Sequence, residues 1–478
     1  MSLRIADHEI RIANLRLRIP FKYGIATMTQ MPYLFLRLTV EIGARRATGT
    51  SADCLPAKWF TKDPARDVNE EVFEMLRVIR HAAQTARGLS GPSAFALWRE
   101  LHAAQDAWAR QEQLPPLLAH FGTSLVERAV IEAVCRDAGK PFAALLRAGG
   151  LGLRLGEIHP ELADTALEDG LPAIPLPEVI ARHTIGLADP LTEADIPEAD
   201  RLHDGLPQSL EACSARHGLK HFKVKVTGQL APDLERTRRV AAVIKAGTRG
   251  EFAFSLDGNE AFKTVAEFRA YWEQFRADAV IGHFLDRLMF VEQPLHRSVA
   301  LVPEVGVALA AWPEAPPLII DESDGELGSA ARSLSLGYAG TSHKNCKGVF
   351  KGVANRCLLA LRQRQQTDRR FVMSGEDLCG VGPVAMVQDL AVQAALGNTS
   401  VERNGHHYVA GLSGFPAAIQ ARMLESHPDL YARAEAGWPT LRIQHGAIRL
   451  DSVNRAALGV GPELPLEEIP AAADWRWP

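Results

Sequence analysis

Between residues 181 and 409 the chain repeats one pattern: a short apolar run, then a segment whose apolar residues recur three and four apart. The runs at 181–187, 221–226, 252–257, 288–292, 318–321, 338–344, 370–374 and 400–403 predict strands, and stretches such as 234–244 and 384–396 predict helices between them. Near-continuous apolar runs of this length suit parallel strands covered by helices. Eight such units of about 30 residues point to an α/β fold, a modified TIM-like (β/α)8 barrel. A doubly wound sheet is the alternative, but no GxGxxG opens a helix after the first strand.

Before the barrel the pattern differs. Residues 5–50 predict a β-meander in which Leu34, Leu36, Leu38 and Val40 face a core while Arg37, Thr39 and Glu41 face water. Two stretches rich in aromatic and polar residues, 20–26 and 51–60, read as loops fit to cover a site. Helical spacing runs from 67 to about 146, and the Gly- and Pro-rich passage after it has little periodicity. Past 415 the chain returns to loop and strand, with a hairpin expected at 440–450 around His445 and Gly446, and the basic run 362–370 reads as a solvated helix end. The expected organisation is an α+β capping domain over 1–150, a linker or insertion over 151–180, the barrel over 181–414, and a tail over 415–478 returning to the cap.

Charge interrupts the apolar pattern at particular places. In 221–226 strand alternation puts Phe222, Val224 and Val226 on one face and Lys223 and Lys225 together on the other. An exposed strand with its lysines in water would explain that pair alone. The next three runs, however, each end in a carboxylate: Asp257, Glu292 and Asp321. Strand C-terminal ends form the active-site face of a barrel, so these groups would meet at one rim. Three converging carboxylates repel one another unless a cation neutralises them, and an all-oxygen set favours a hard ion, Mg²⁺ before Mn²⁺.

Composition narrows the partners. The chain has 478 residues, 47% of them hydrophobic, and a formal net charge of -4, which gives no general reason to bind nucleic acid or an anionic membrane. A small molecule is the expected ligand. The six cysteines are scattered, with no CxxC pair, as in a reduced cytoplasmic protein. No run approaches the ~20 apolar residues of a membrane span, and the first residues lack a signal-peptide core.

The ordered set Lys223-x-Lys225, Asp257-Gly-Asn259, Val291-Glu292-Gln293-Pro294, Asp321-Glu322-Ser323 and Lys344 resembles the enolase superfamily, nearest its mandelate racemase and muconate lactonizing enzyme branches. The resemblance extends to 126–141, similar to the helix that closes the family's cap, to 20–24, similar to its first substrate loop, and to 458–461 in the tail. Residues 147–215 are longer than the family usually has. The resemblance implies a homo-oligomeric, Mg²⁺-dependent lyase or isomerase that removes the proton next to a substrate carboxylate, giving an enediolate. Dehydration of an acid sugar, racemisation or epimerisation, and cycloisomerisation all fit. It further implies Asp257, Glu292 and Asp321 as metal ligands and Lys225 as a general base whose pKa Lys223 and the cation depress. Lys344 is preferred over His343 as the second acid/base, because His343 points the other way on a regular strand, although Lys344-x-x-Lys347-Gly348 lacks the double glycine of the muconate-lactonizing branch. Tyr23, Asn259, His343 and Glu376 are candidate substrate contacts, and Arg403, His406 and His407 could hold a second polar group. No Asp-x-Asp on strand eight argues against dipeptide epimerisation. The competing reading is a catalytically silent barrel that binds metal and an acid ligand.

Overall fold

The computed structural model describes residues 2–23 and 25–477. Three long antiparallel strands, β1 (Leu3–Tyr23), β2 (Ala26–Ile42) and β3 (Arg45–Cys54), with the short β4 (Ser90–Gly91), form a sheet in the order β3-β2-β1-β4. Leu34, Leu36, Leu38 and Val40 are buried beneath the helices α1 (Val68–Arg87), α2 (Ala94–Gln111), α3 (Pro116–Ala138) and α4 (Phe142–Arg147). The opposite face is wet only in part. Arg37, Thr39 and Glu41 are half-exposed, but Tyr33 and Phe35 are buried in the core shared with the barrel.

The stretch 20–26 is not the expected loop. Phe21 pairs with Met28 and Tyr23 with Ala26, so the β1–β2 hairpin runs on past the sheet. The Phe21 ring stacks on Tyr408 at 4.1 Å, and that contact with the barrel explains why the extension holds as strand. Gly24, part of the family-like loop 20–24, lies outside the described residues.

The barrel comprises eight parallel strands: β5 (Glu178–Ile185), β6 (His221–Lys225), β7 (Ala253–Asp257), β8 (Leu288–Glu292), β9 (Leu318–Ile320), β10 (Gly340–His343), β11 (Val372–Gly375) and β12 (Ser400–Arg403). They lie side by side in chain order, and β12 pairs with β5 to close the cylinder. Outside run α5 (Leu210–His217), α6 (Leu230–Thr248), α7 (Val265–Ala277), α8 (Ala279–Leu285), α9 (Pro303–Ala310), α10 (Ser329–Ser335), α11 (Val349–Gln365), α12 (Ala385–Leu396) and the single turn α13 (Gly405–Tyr408). The expected (β/α)8 architecture is the observed one, and strand limits agree with the apolar runs to within a few residues.

The passage 151–176 is packed, with Leu151, Leu155, Leu162 and Leu171 buried in the helical core of the cap. After α14 (Ala417–Ser426) the tail keeps only the tip of the expected hairpin, where Gln444 and Ala447 exchange backbone hydrogen bonds at 3.0 and 2.9 Å. β13 (Tyr431–Arg433) pairs with β14 (Pro439–Leu441), whereas β15 (Ala447–Arg449) joins β5 antiparallel at the barrel seam. His445 and Gly446 form a tight turn with positive φ, +53° and +78°. The last residues do reach the cap, where Ile12 N–H donates to the Pro470 carbonyl at 3.0 Å.

Helix α3 fixes the cap on the barrel. The Glu127 carboxylate accepts from the backbone N–H groups of Val349 (3.0 Å) and Phe350 (2.7 Å), satisfying the open donors at the start of α11. One residue on, Arg128 donates to Asp53 at 2.8 Å and to the Ala52 carbonyl at 2.9 Å, tying α3 to β3. Both side chains are buried, so the contact is specific as well as attractive.

Candidate active site

Strand alternation decides what faces the barrel axis. Register pairs Lys223 with Ser255 and Lys225 with Asp257, and Asp257 in turn with Glu292. Phe222, Val224, Phe254, Leu256 and Val291 point outward into the core beneath the helices. Lys223 and Lys225 therefore face inward, and neither lies in water.

At the C-terminal mouth is a cavity of about 60 Å³. Lys225, Asp257, Asn259, Asp321, Lys344 and Glu402 line it from the barrel. Phe21, Tyr23, Met28, Lys58 and Trp59 close it from the cap. The Tyr23 hydroxyl donates to the Ala57 carbonyl at 2.6 Å, and the Lys344 ammonium lies 4.3 Å from the Trp59 ring centroid. Arg297 latches this cover: its guanidinium donates to Glu260 at 2.8 Å and to the carbonyls of Trp59 (2.9 Å) and Phe60 (2.7 Å).

Lysines and carboxylates alternate around the site. Lys223 Nζ lies within 2.8 Å of Glu292 and Glu376 and 3.2 Å of Asp257 and Glu402. Burial disfavours its charge, but these four acids hold the ammonium well above the ordinary lysine range. Lys225 Nζ donates to Asp257 Oδ2 at 2.8 Å, and Asn259 donates to Oδ1 of the same acid at 2.7 Å. Against the penalty of burial, Lys223 and then Lys225 bring Asp257 down to about 2.

Across the mouth Asp321 receives two cations, Lys344 Nζ on Oδ2 and Lys347 Nζ on Oδ1, both at 2.8 Å. They hold its carboxyl well below the usual range despite burial. Lys344 is raised in return, burial being outweighed by Asp321. Glu292 goes the other way. Burial and the neighbouring Glu376 push its carboxyl well above its ordinary value.

Gln293 explains why a glutamine follows Glu292. Its Oε1 accepts from Asp321 N–H at 2.7 Å and its Nε2 donates to Ser323 at 2.7 Å, so one side chain sets the position of the next strand's acid.

Two candidate substrate contacts lie elsewhere. His343 points outward against α11, where its ring crowds Gly352 and its Nε2 meets Asn345 Oδ1 at 3.2 Å. Burial takes it to about 4, a neutral packed imidazole that cannot touch the cavity. Glu376 faces inward but sits below the floor, bound to Arg182, Ser374 and Lys223 rather than lining the mouth. Arg403 is likewise directed outward, paired with Asp389, and His406 and His407 lie outside the barrel wall. Tyr23 and Asn259 do line the cavity.

Three participants carry little or no mark in the sequence. Glu402 follows from alternation on β12, since Val401 must face out. Arg182 has no comparable signal, because a basic residue at a strand start is common on surfaces, and Lys347 is marked only as the basic residue three past Lys344 in the family-like pattern, not as a partner of Asp321.

Neither a protein-family model nor a curated protein matches the chain. Solved structures do. A mandelate racemase/muconate lactonizing enzyme-like protein from Rubrobacter xylanophilus superposes with a TM-score of 0.58 at 16% identity, covering 98% of this chain and 100% of that one. The fold is that of the enolase superfamily. A muconate lactonizing enzyme from Mucobacterium smegmatis, complexed with muconolactone, gives 0.57 at 16% identity over 98% and 99% of the two chains. An enolase from Bradyrhizobium, complexed with magnesium and mandelic acid, gives 0.55 at 14% identity over 94% of each. These enolase-superfamily neighbours share the cap as well as the barrel, given the coverage. Among the described residues no helix is long and apolar enough to cross a membrane.

Proposed function

We propose that the chain is a Mg²⁺-dependent enzyme that removes the proton next to a carboxylate of a small acid. One observation carries this reading: Lys225 and Lys344 line the same cavity from the second and sixth of eight barrel strands, and so face each other across it. Acids from the three strands between Lys223 and Lys344 stand along one side, as a bound carboxylate and its counter-cation would require.

The donor set fits a hard divalent ion in kind. Asp257, Glu292 and Asp321 offer only oxygen, from three successive strands. Glu292 Oε2 is buried without a hydrogen bond, although the Lys223 ammonium is 2.8 Å away, and its carboxyl carries the burden of a second buried acid. The three acids are held apart by lysines, so loading requires Lys223 to give up part of its contact and Asp321 to turn from Lys344. Bound there, the ion would supply positive charge for the acids and for the substrate carboxylate.

The chain's own groups then divide the work. With Asp257 and Asp321 engaged elsewhere, Lys225 and Lys344 lose the partners that favour their charged forms. A neutral Lys225 amine takes the Cα proton, and the electron pair it leaves passes into the carboxylate as an enediolate. Lys344, still an ammonium, returns a proton on the opposite face for racemisation or epimerisation, or protonates a leaving hydroxyl for dehydration. Trp59 and Tyr23 keep water from the carbanionic carbon.

The test is ¹H NMR in D₂O with Mg²⁺ and a panel of α-hydroxy acids, acid sugars and N-acyl amino acids. Exchange of the α-proton is expected with at least one acid, falling at least 10³-fold in Lys225→Ala and Lys344→Ala. No exchange with any acid, alongside Mg²⁺-dependent thermal stabilisation, would support instead a silent barrel that binds metal and acid. The Lys223 cluster gives that second reading its foothold, because it neutralises the acids without a metal.

A further inference from the structure

Outside the barrel wall lies a second group of donors that the active site does not use. His183 faces outward from β5, Cys213 comes from α5 and His407 from α13. They are 1%, 0% and 3% exposed. Among the described residues they form the one set of three His, Cys, Asp or Glu side chains whose ligand atoms all lie within 4.8 Å of one another. Cys213 Sγ is 3.4 Å from His407 Nδ1, close to the edge of a tetrahedron with bonds of about 2.3 Å to sulfur and about 2.0 Å to nitrogen.

We propose that His183, Cys213 and His407 bind a thiophilic divalent ion, Zn²⁺ by donor chemistry, at the seam where the barrel closes. Sulfur and imidazole donors favour zinc over the magnesium suited to the oxygen-lined mouth.

Several independent features support this. Behind the His407 ring, Nε2 lies 3.8 Å from Asp189 Oδ2, so a carboxylate stands near the imidazole's far side, at a distance longer than a hydrogen bond. Asp189 Oδ1 is buried without a hydrogen-bond partner, so its charge is undersatisfied. Zn²⁺, one thiolate and the Asp189 carboxylate sum to zero, with the Arg236 guanidinium, which donates to the Asp189 backbone carbonyl at 3.0 Å, a further positive charge nearby. Arg18, which donates to the His407 carbonyl at 3.1 Å, is neutralised by Asp204 at 2.7 Å. The thiolate is the ligand form, so binding must release the Cys213 proton to solvent.

A further histidine and a surface cavity adjoin the group. His406, whose Nε2 is 3.2 Å from His183 Nδ1, stands beside a surface cavity lined by Arg216, His217 and Gly405. A water would take the fourth position. The ion would join the first barrel strand, the helix after it and the turn after the last strand, where His183 sits opposite Arg403 in the closing pair.

Co²⁺ gives a direct reading. Untagged full-length protein is stripped with chelator, saturated with Mg²⁺, and titrated with Co²⁺. One equivalent should produce a thiolate-to-cobalt charge-transfer band and the intense visible bands of tetrahedral cobalt. The bands should persist in Cys379→Ala, the thiol at the active-site cavity, and vanish in Cys213→Ala. Asp189→Asn should weaken binding on the order of 10- to 100-fold. If Cys213→Ala does not fold, His407→Gln serves in its place, with loss of tetrahedral intensity as the reading. Absence of the thiolate band in the wild type, its survival in Cys213→Ala, or its loss in Cys379→Ala would each overturn the proposal.

Discussion

Replacing Lys223 with methionine should destabilise the protein in a way that acid repairs. The ammonium touches four carboxylates at 2.8–3.2 Å and is 2% exposed, so the substitution leaves Glu292, Glu376, Glu402 and Asp257 buried with much of their counter-charge removed. Breaking a buried pair from one side costs about 3–5 kcal/mol, and that range is expected for unfolding free energy at pH 7.5. Glu292 and Glu376 are already pushed upward, chiefly by burial, and without Lys223 they rise further. Lowering the pH to 5.5 should therefore protonate them and recover roughly 1–3 kcal/mol, since a tenfold change in proton affinity is worth about 1.4 kcal/mol. Mg²⁺ should stabilise the variant more than the wild type, because the competing ammonium is gone. Equilibrium urea unfolding at both pH values, with and without Mg²⁺, measures all three. A loss under about 1 kcal/mol at pH 7.5, or one as large at pH 5.5 as at 7.5, would refute the idea that Lys223 neutralises this cluster.

Acid should act on Asp257 in the opposite sense. Its folded pKa of about 2 lies below the usual 3.8, so its contribution, about 2 kcal/mol, is complete above pH 4 and lost as pH falls through 2; Asp257→Asn should flatten the acid limb of a stability–pH curve. Glu322 is raised to about 7 from 4.5 by burial, Asp321 and Glu260, so its contribution is complete below pH 4.5 and lost as pH rises through 7. Glu322→Gln should therefore show a smaller decline between pH 5 and 8 in the same measurement. Arg297→Met removes the latch on Trp59 and Phe60 and strands the buried Glu260. It should cost about 2–4 kcal/mol and expose residues 55–62 to limited proteolysis, while His343→Phe should leave α-proton exchange unchanged apart from stability.

Much of the barrel was legible because its outward strand positions are apolar and its helices have the right period. The polar residues at inward positions were legible only where they interrupted that pattern in series, as Lys223, Lys225, Asp257 and Glu292 do. Arg182 gave no such signal, since nothing in a single strand says whether a charged residue points inward or to water, and Glu376, marked by resemblance as a substrate contact, gave none that it would instead pair with Arg182 and Lys223. The 20–26 stretch resembles a loop for a related reason: Pro20 and Gly24 punctuate it like one, while the contact that keeps it extended, Phe21 on Tyr408, joins residues nearly 400 apart.

The interior of this barrel carries an argument of its own. Apolar layers would stabilise an eight-stranded barrel without the desolvation of Lys223, Arg182, Glu292, Glu376 and Glu402, each buried to within 3%. A fold under pressure for stability alone has no reason to keep such a stack. The stack does have a directional consequence: Arg182 and Phe290 lie at the base, 5.4 Å apart, Lys223 with its acids above them, and Lys225, Lys344 and Asp321 at the mouth. The two lysines that face one another across the cavity are held by ion pairs to Asp257 and Asp321, and Trp59 covers Lys344 from above. Holding two lysines on opposite sides of one small cavity is what such scaffolding achieves, and packing alone does not call for it.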